Sequence, residues 1–257
     1  MKHYTIVGNW KMHFGQPEAA VKYVKKLHER VKPHTHVTSV VAPPFTALAA
    51  VAEEVESDTF KVAAQNLHEC DEGAYTGEIS APMLKGLARY VIVGHSERRR
   101  YEHETDKQIA KKVAAAVRCD LTAILCVGEK LDDRQEGHSK RVVVDQLHGA
   151  LSQVAAEDIK DIIIAYEPVW AIGTGEYAEP EEVRPVVNVI RQTVEEMFGR
   201  DATSGLRILY GGSVEPDNCK AYLQAENISG LLVGGASINY EQFSRIVKIA
   251  QHLADSS

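Results

Sequence analysis

Short apolar runs alternate with longer stretches in which apolar residues recur every three or four positions, from one end of the chain to the other. Eight of the short runs read as strands: 4–9, 37–42, 60–65, 90–94, 121–127, 162–167, 206–210 and 230–233. They are nearly continuously apolar rather than alternating, as strands of a parallel sheet covered on both faces should be. The longer stretches read as amphipathic helices. Ile109, Val113, Ala116 and Val117 share one face of a helix, and Phe243, Ile246, Val247, Ala250 and Leu253 share one face of the last. Ser80-Ala81-Pro82 and Glu215-Pro216-Asp217 carry the cap and early proline of helix starts. Pro180-Glu181-Glu182 places carboxylates in a first turn, where the helix dipole favours them. No linker or low-complexity stretch interrupts the series. Eight strand–helix units predict an α/β protein, a single (β/α)8 barrel with a closed, parallel, eight-stranded sheet, forming one domain over 1–257. A doubly wound open sheet is the alternative, but no G-x-G-x-x-G follows the first strand.

A barrel places its chemistry at the C-terminal ends of the strands. Strand six ends in Tyr166-Glu167-Pro168, followed by Val169-Trp170-Ala171-Ile172-Gly173-Thr174-Gly175. Proline stops the ladder, and apolar residues between glycines suit a cover that closes over a site and excludes water. Strand one ends in Asn9-Trp10-Lys11, and strand four in Gly94-His95-Ser96-Glu97. A histidine at a helix N-terminus feels positive potential, which lowers its pKa and favours neutral imidazole. Gly211, Gly212 and Ser213 follow strand seven, and Gly234 and Gly235 follow strand eight. Backbone N–H groups there, with Gly173, predict a phosphate site. Taken singly, Glu167, His95 and Lys11 each fit a solvated residue at a turn. The barrel brings them to one mouth.

Composition narrows the picture. The chain has 257 residues, 44% hydrophobic and 25% charged, enough for a large core. A net charge of -7 argues against non-specific nucleic-acid binding. The one basic run, Arg98-Arg99-Arg100, stands among Glu97, Glu102 and Glu104 and reads as an ion-paired helix start. Cys70, Cys119, Cys126 and Cys219 have no CxxC spacing, and no signal-like leader is read, so they point to reduced thiols in a cytoplasmic protein. No apolar run approaches membrane-spanning length. His34 and His36 lack a third ligand nearby, so no metal site is expected.

Along nearly its whole length the chain resembles the triosephosphate isomerase family. The resemblance rests on Gly8-Asn9-Trp10-Lys11, Ala64-Gln65-Asn66, Gly73-Ala74-Tyr75-Thr76-Gly77-Glu78 and Gly94-His95-Ser96-Glu97-Arg98-Arg99. It continues through Cys126-Val127-Gly128-Glu129, the segment after Glu167, Tyr210-Gly211-Gly212-Ser213 and Gly234-Gly235-Ala236-Ser237, in the family's order. The resemblance implies interconversion of dihydroxyacetone phosphate and D-glyceraldehyde 3-phosphate. It assigns Glu167 as base, His95 as electrophile, Asn9 and Lys11 as residues that polarise and anchor the substrate, and Glu97 as the partner of the lysine. It assigns Gly173, Ser213, Gly234 and Gly235 to the phosphate, and Cys126 to a structural role. It implies a homodimer through loop 66–79, with Thr76 buttressing the partner's site, and no organic cofactor or metal. Glu176-Tyr177-Ala178 departs from the family's usual Lys-Thr-Ala or Lys-Val-Ala, which bears on the motion of the cover rather than on the chemistry. A phosphate-binding barrel without catalysis and a methylglyoxal-forming lyase are the competing functions. The first has no need of Glu167, His95 and Lys11, and a complete cover argues against the second.

Overall fold

The computed structural model describes residues 2–55, 59–173 and 177–256. Eight strands close into a barrel in sequence order. They are β1 (Tyr4–Asn9), β2 (Val37–Ala42), β3 (Phe60–Ala64), β4 (Tyr90–Val93), β5 (Thr122–Val127), β6 (Ile162–Tyr166), β7 (Arg207–Tyr210) and β8 (Gly230–Val233). Every pairing is parallel, and β1 closes the ring on β8 with Ile6 opposite Leu231 and Val7 opposite Leu232. The barrel expectation holds, and the open-sheet alternative is excluded by this closure.

The strands are apolar on both sides because each side buries a different core. Val7, Val40, Ala63, Ile92, Ile124, Cys126, Ile163, Ala165, Leu209 and Leu232 fill the barrel. Ile6, Val41, Val62, Val91, Leu125, Ile164, Ile208 and Leu231 face outward and meet the helices. Ile109, Val113 and Ala116 of helix Asp106–Arg118 belong to this outer core, as do the five apolar residues of helix Tyr240–Asp255 named above.

Strand ends differ from the sequence reading by one residue at five places. Gln65, Gly94 and Glu167 lie past the ladder, and Leu121 and Leu206 lie before it. Helix Pro180–Phe198 starts at its proline, with Glu179 and Glu182 in a reciprocal capping box. Glu215-Pro216-Asp217 does not begin a helix. The Asn218 side chain accepts the Glu215 N–H at 2.9 Å and donates to the Ser213 carbonyl at 3.1 Å, holding a turn. The helix there runs Cys219–Gln224. Thr174, Gly175 and Glu176 lie outside the described residues; Tyr177 is exposed. Among the described residues no helix is long and apolar enough to cross a membrane.

Candidate active site

Side chains alternate along a strand, so the residue two past each last inner-layer position is aimed into the barrel mouth. Glu167 follows Ile163 and Ala165 in this way, Asn9 follows Val7, and Gly234 follows Leu232. On β4 the phase shifts. Gly94 takes φ 68°, a left-handed conformation that favours glycine, and His95 rather than residue 94 enters the mouth. Asn9, Lys11, His95, Glu167, Gly173, Ser213, Gly234 and Gly235 all line one cavity of about 390 Å³ at this end.

Glu167 is 2% exposed. Its carboxylate accepts the Ser96 N–H at 3.0 Å, and its other oxygen is 3.1 Å from His95 Nε2. His95 caps helix Ser96–Tyr101: its Nδ1 accepts the Glu97 N–H at 3.2 Å. The neutral ring therefore carries its proton on Nε2, facing the cavity. Lys11 Nζ reaches Glu97 Oε1 at 2.6 Å. Lys11 has a left-handed backbone, φ 51°, an uncommon conformation for a side chain this long. Its N–H is taken by Asn9 Oδ1 at 3.0 Å, and its carbonyl by Gln65 Nε2 at 2.8 Å. Thr76 is exposed on the loop between β3 and helix Ala81–Leu84, outside the cavity.

Charge balances closely at the Glu167–His95 pair. Burial pushes the Glu167 pKa up, but the His95 ring, the Ser96 N–H and Lys11 outweigh it and hold the carboxyl below its ordinary value. Burial pushes the His95 pKa down, but Glu167 and then Glu97 outweigh it, and the ring stands above its ordinary value. The helix start and the Glu97 N–H on Nδ1 favour the neutral ring, while the Glu167 carboxylate pulls its pKa the other way. The Cys126 thiol lies inside the barrel, and burial pushes its pKa up, away from nucleophilic use.

Several groups that shape the site carry no chemical signature in the sequence. A Cβ on Gly128 would lie 1.7 Å from the Glu167 carbonyl oxygen, and one on Gly211 would lie 3.0 Å from Glu167 Cγ. Both glycines let neighbouring strands press against the base. Glu129, 1% exposed, accepts Trp170 Nε1–H at 2.9 Å and the Tyr166 hydroxyl at 3.1 Å. It thereby ties the chain just after Glu167 to the end of β5. The Arg134 guanidinium covers the Trp170 ring at 3.8 Å. The sequence signals for these contacts are glycines one residue past β5 and β7 and the placement of Gln65 and Glu129 within motifs. Among the described residues no cluster of three or more His, Cys, Asp or Glu side chains comes together as metal ligands.

The family model described as triosephosphate isomerase matches residues 4–250. A protein of Caldanaerobacter subterraneus subsp. tengcongensis named triosephosphate isomerase is 47% identical over 248 residues, covering 96% of this chain and 99% of the relative. Proteins of the same name from Carboxydothermus hydrogenoformans and Chloroherpeton thalassium are each 45% identical. The first covers 96% of this chain and 99% of the relative, the second 98% and 100%.

Proposed function

The chain belongs to the triosephosphate isomerase family, and we propose that Glu167, His95, Lys11 and Asn9 carry out its reaction in the cavity just described. The protein is an isomerase that interconverts dihydroxyacetone phosphate and D-glyceraldehyde 3-phosphate. The observation that carries the residue assignment is the Glu167 carboxylate at the end of β6, 3.1 Å from His95 Nε2, with Lys11 lining the same cavity.

The reaction moves a proton between neighbouring carbons beside a carbonyl. Glu167 takes the proton from one carbon and returns it to the other. To do so it leaves the Ser96 N–H and the ring. A glutamate base working beside a neutral histidine is the established pattern of this same family. Once the substrate separates Glu167 from His95, the main cause raising the ring's pKa is gone, and burial favours neutral imidazole. Its Nε2–H then donates to the developing enediolate oxygen. Lys11, held by Glu97, supplies positive charge, and Asn9 assists. One such donor is commonly worth about 10²–10³ in rate, and a positioned base about 10²–10⁴. Gly173, Ser213, Gly234 and Gly235 hold the phosphate, whose binding energy closes the segment after Glu167 over the site. No redox change or group transfer occurs, so the chemistry calls for no cofactor.

The barrel 1–257 acts as one domain, and two copies associate through loop 66–79. Met12 is 95% exposed, and Tyr75, Met83 and Tyr101 are exposed too, all in segments that follow β1, β3 and β4. Large apolar residues in such number mark a surface that meets another protein. The four cysteines are free, which fits a reducing, cytoplasmic compartment and a place in glycolysis and gluconeogenesis. Neither a non-catalytic barrel nor a methylglyoxal lyase is favoured by any feature of the site. A coupled assay that follows isomer and methylglyoxal together tests the reading. Rapid isomerisation with little methylglyoxal is expected. Methylglyoxal as the main product, or phosphate binding without turnover, would overturn it.

A further inference from the structure

Gly234 and Gly235 open a short 3-10 turn, Gly235–Ile238, whose last carbonyls have no partner within it. Its own hydrogen bonds and two other elements clamp this turn. Ser237 N–H and Ser237 Oγ both donate to the Gly234 carbonyl, at 2.8 and 2.7 Å. Ser237 Oγ also lies 3.0 Å from the Asn9 carbonyl, linking the turn to β1. β1 presses on it besides, since a Cβ on Gly8 would lie 3.1 Å from Ser237 Cβ. The second element is helix Pro17–Arg30. Its Tyr23 hydroxyl donates to the Ser237 carbonyl. Tyr23 is buried and fixed by its neighbours, with ring centroids 4.7 Å from Trp10 and 5.0 Å from Phe14. Ser237 is fully buried. Without the phenol its carbonyl would lack a partner away from water, and the turn would rotate to find one.

We propose that Tyr23 is a positioning residue for phosphate recognition: its hydroxyl, through the Ser237 carbonyl, sets the angle at which Gly234 and Gly235 present their backbone to the substrate. This rests on the phosphate site proposed above. Tyr23 touches no substrate and takes no part in proton transfer. Its effect belongs to the phosphate end of the site, because the Ser237 hydroxyl, whose one hydrogen is shared between the Gly234 and Asn9 carbonyls, keeps the turn against β1 when the phenol is lost.

Tyr23→Phe keeps the ring and removes the tether. Inorganic phosphate is the probe, read as a competitive inhibitor and by direct titration. The phosphate inhibition constant should rise roughly fivefold, the scale of one net hydrogen bond. kcat/KM for the triose phosphate should fall by the same factor. kcat/KM for glyceraldehyde, which carries no phosphate, should stay unchanged. Ser237→Ala, which loosens the same turn from the β1 side, should weaken phosphate binding in the same sense. Thr203→Val is the control: it removes another buried hydroxyl, bonded to the Gly199 carbonyl at 3.0 Å and outside the cavity. It should lower stability without moving the phosphate constant. The proposal is overturned if phosphate binding is unchanged in Tyr23→Phe, if glyceraldehyde turnover falls equally, or if Thr203→Val has the same effect. A wild-type protein that binds phosphate in a Tyr23-dependent way but does not isomerise would uphold the tether and reject the function. Isomerisation with no Tyr23 dependence would do the reverse.

Discussion

His95 and Glu167 show how much a single contact adds to a motif. Both were legible in the sequence, each at the end of an apolar run. Their 3.1 Å contact was not, because it depends on the shear and closure of the barrel. That contact pulls the His95 pKa up, against burial and the helix start. The ring's folded pKa is raised, so its contribution to stability is complete below its ordinary value of 6.5 and is lost as pH rises through the folded value. The Glu167 pKa is lowered, so its contribution is complete above the ordinary 4.5 and is lost as pH falls through the folded value. The pair therefore stabilises the free enzyme fully between these two ordinary values. Nitrogen NMR should find the His95 ring gaining its proton at a higher pH in the free wild type than in Glu167→Gln. In Glu167→Gln, burial prevails and the ring should be neutral across pH 5–8. A ring that titrates identically in both proteins would contradict the pairing.

At the scale of elements, the strands were read almost to the residue, because each buries apolar side chains on both faces. The short helices were read less well. Glu215-Pro216-Asp217 has the composition of a helix start, yet Asn218 satisfies its backbone locally and delays the helix to Cys219. The glycines that press on Glu167 were the least legible in that role. Gly128 is legible only as one residue of a motif, but it is the point where β5 makes room for the base. A methyl group there would overlap the Glu167 carbonyl oxygen, 1.7 Å from the new carbon, and this backbone must shift. Gly128→Ala should lower stability by about 1–3 kcal/mol, the usual range for overpacking. A displacement of the base by about 1 Å should lower kcat on the order of 100-fold. Thermal unfolding and steady-state kinetics check the two effects together. Near-native kcat would mean that the strand end yields without moving Glu167.

At the scale of the whole molecule, the proposed assembly turns on loop 66–79. Its stem is already closed, since the His68 N–H meets the Ile79 carbonyl at 2.7 Å. Replacing the residues between them with a short turn should leave the barrel intact. It should give monomers on sedimentation, with kcat lower by about 100-fold, because Asn9, Lys11 and His95 lose a support whose small displacements are costly. A fully active monomer would defeat the idea. The barrel was legible because eight similar units can bury their strands in few other ways. The convergence of its strand ends on one cavity emerges only on closure. The central claim is that Glu167 moves the proton, and exchange with solvent tests it most directly. Dihydroxyacetone phosphate turned over in deuterated water should yield D-glyceraldehyde 3-phosphate labelled at C2, followed by proton NMR. Glu167→Asp draws the carboxylate back by about 1 Å and should slow both labelling and turnover on the order of 100-fold, with substrate affinity nearly unchanged. Labelling at the wild-type rate in Glu167→Asp would contradict the assignment of the base.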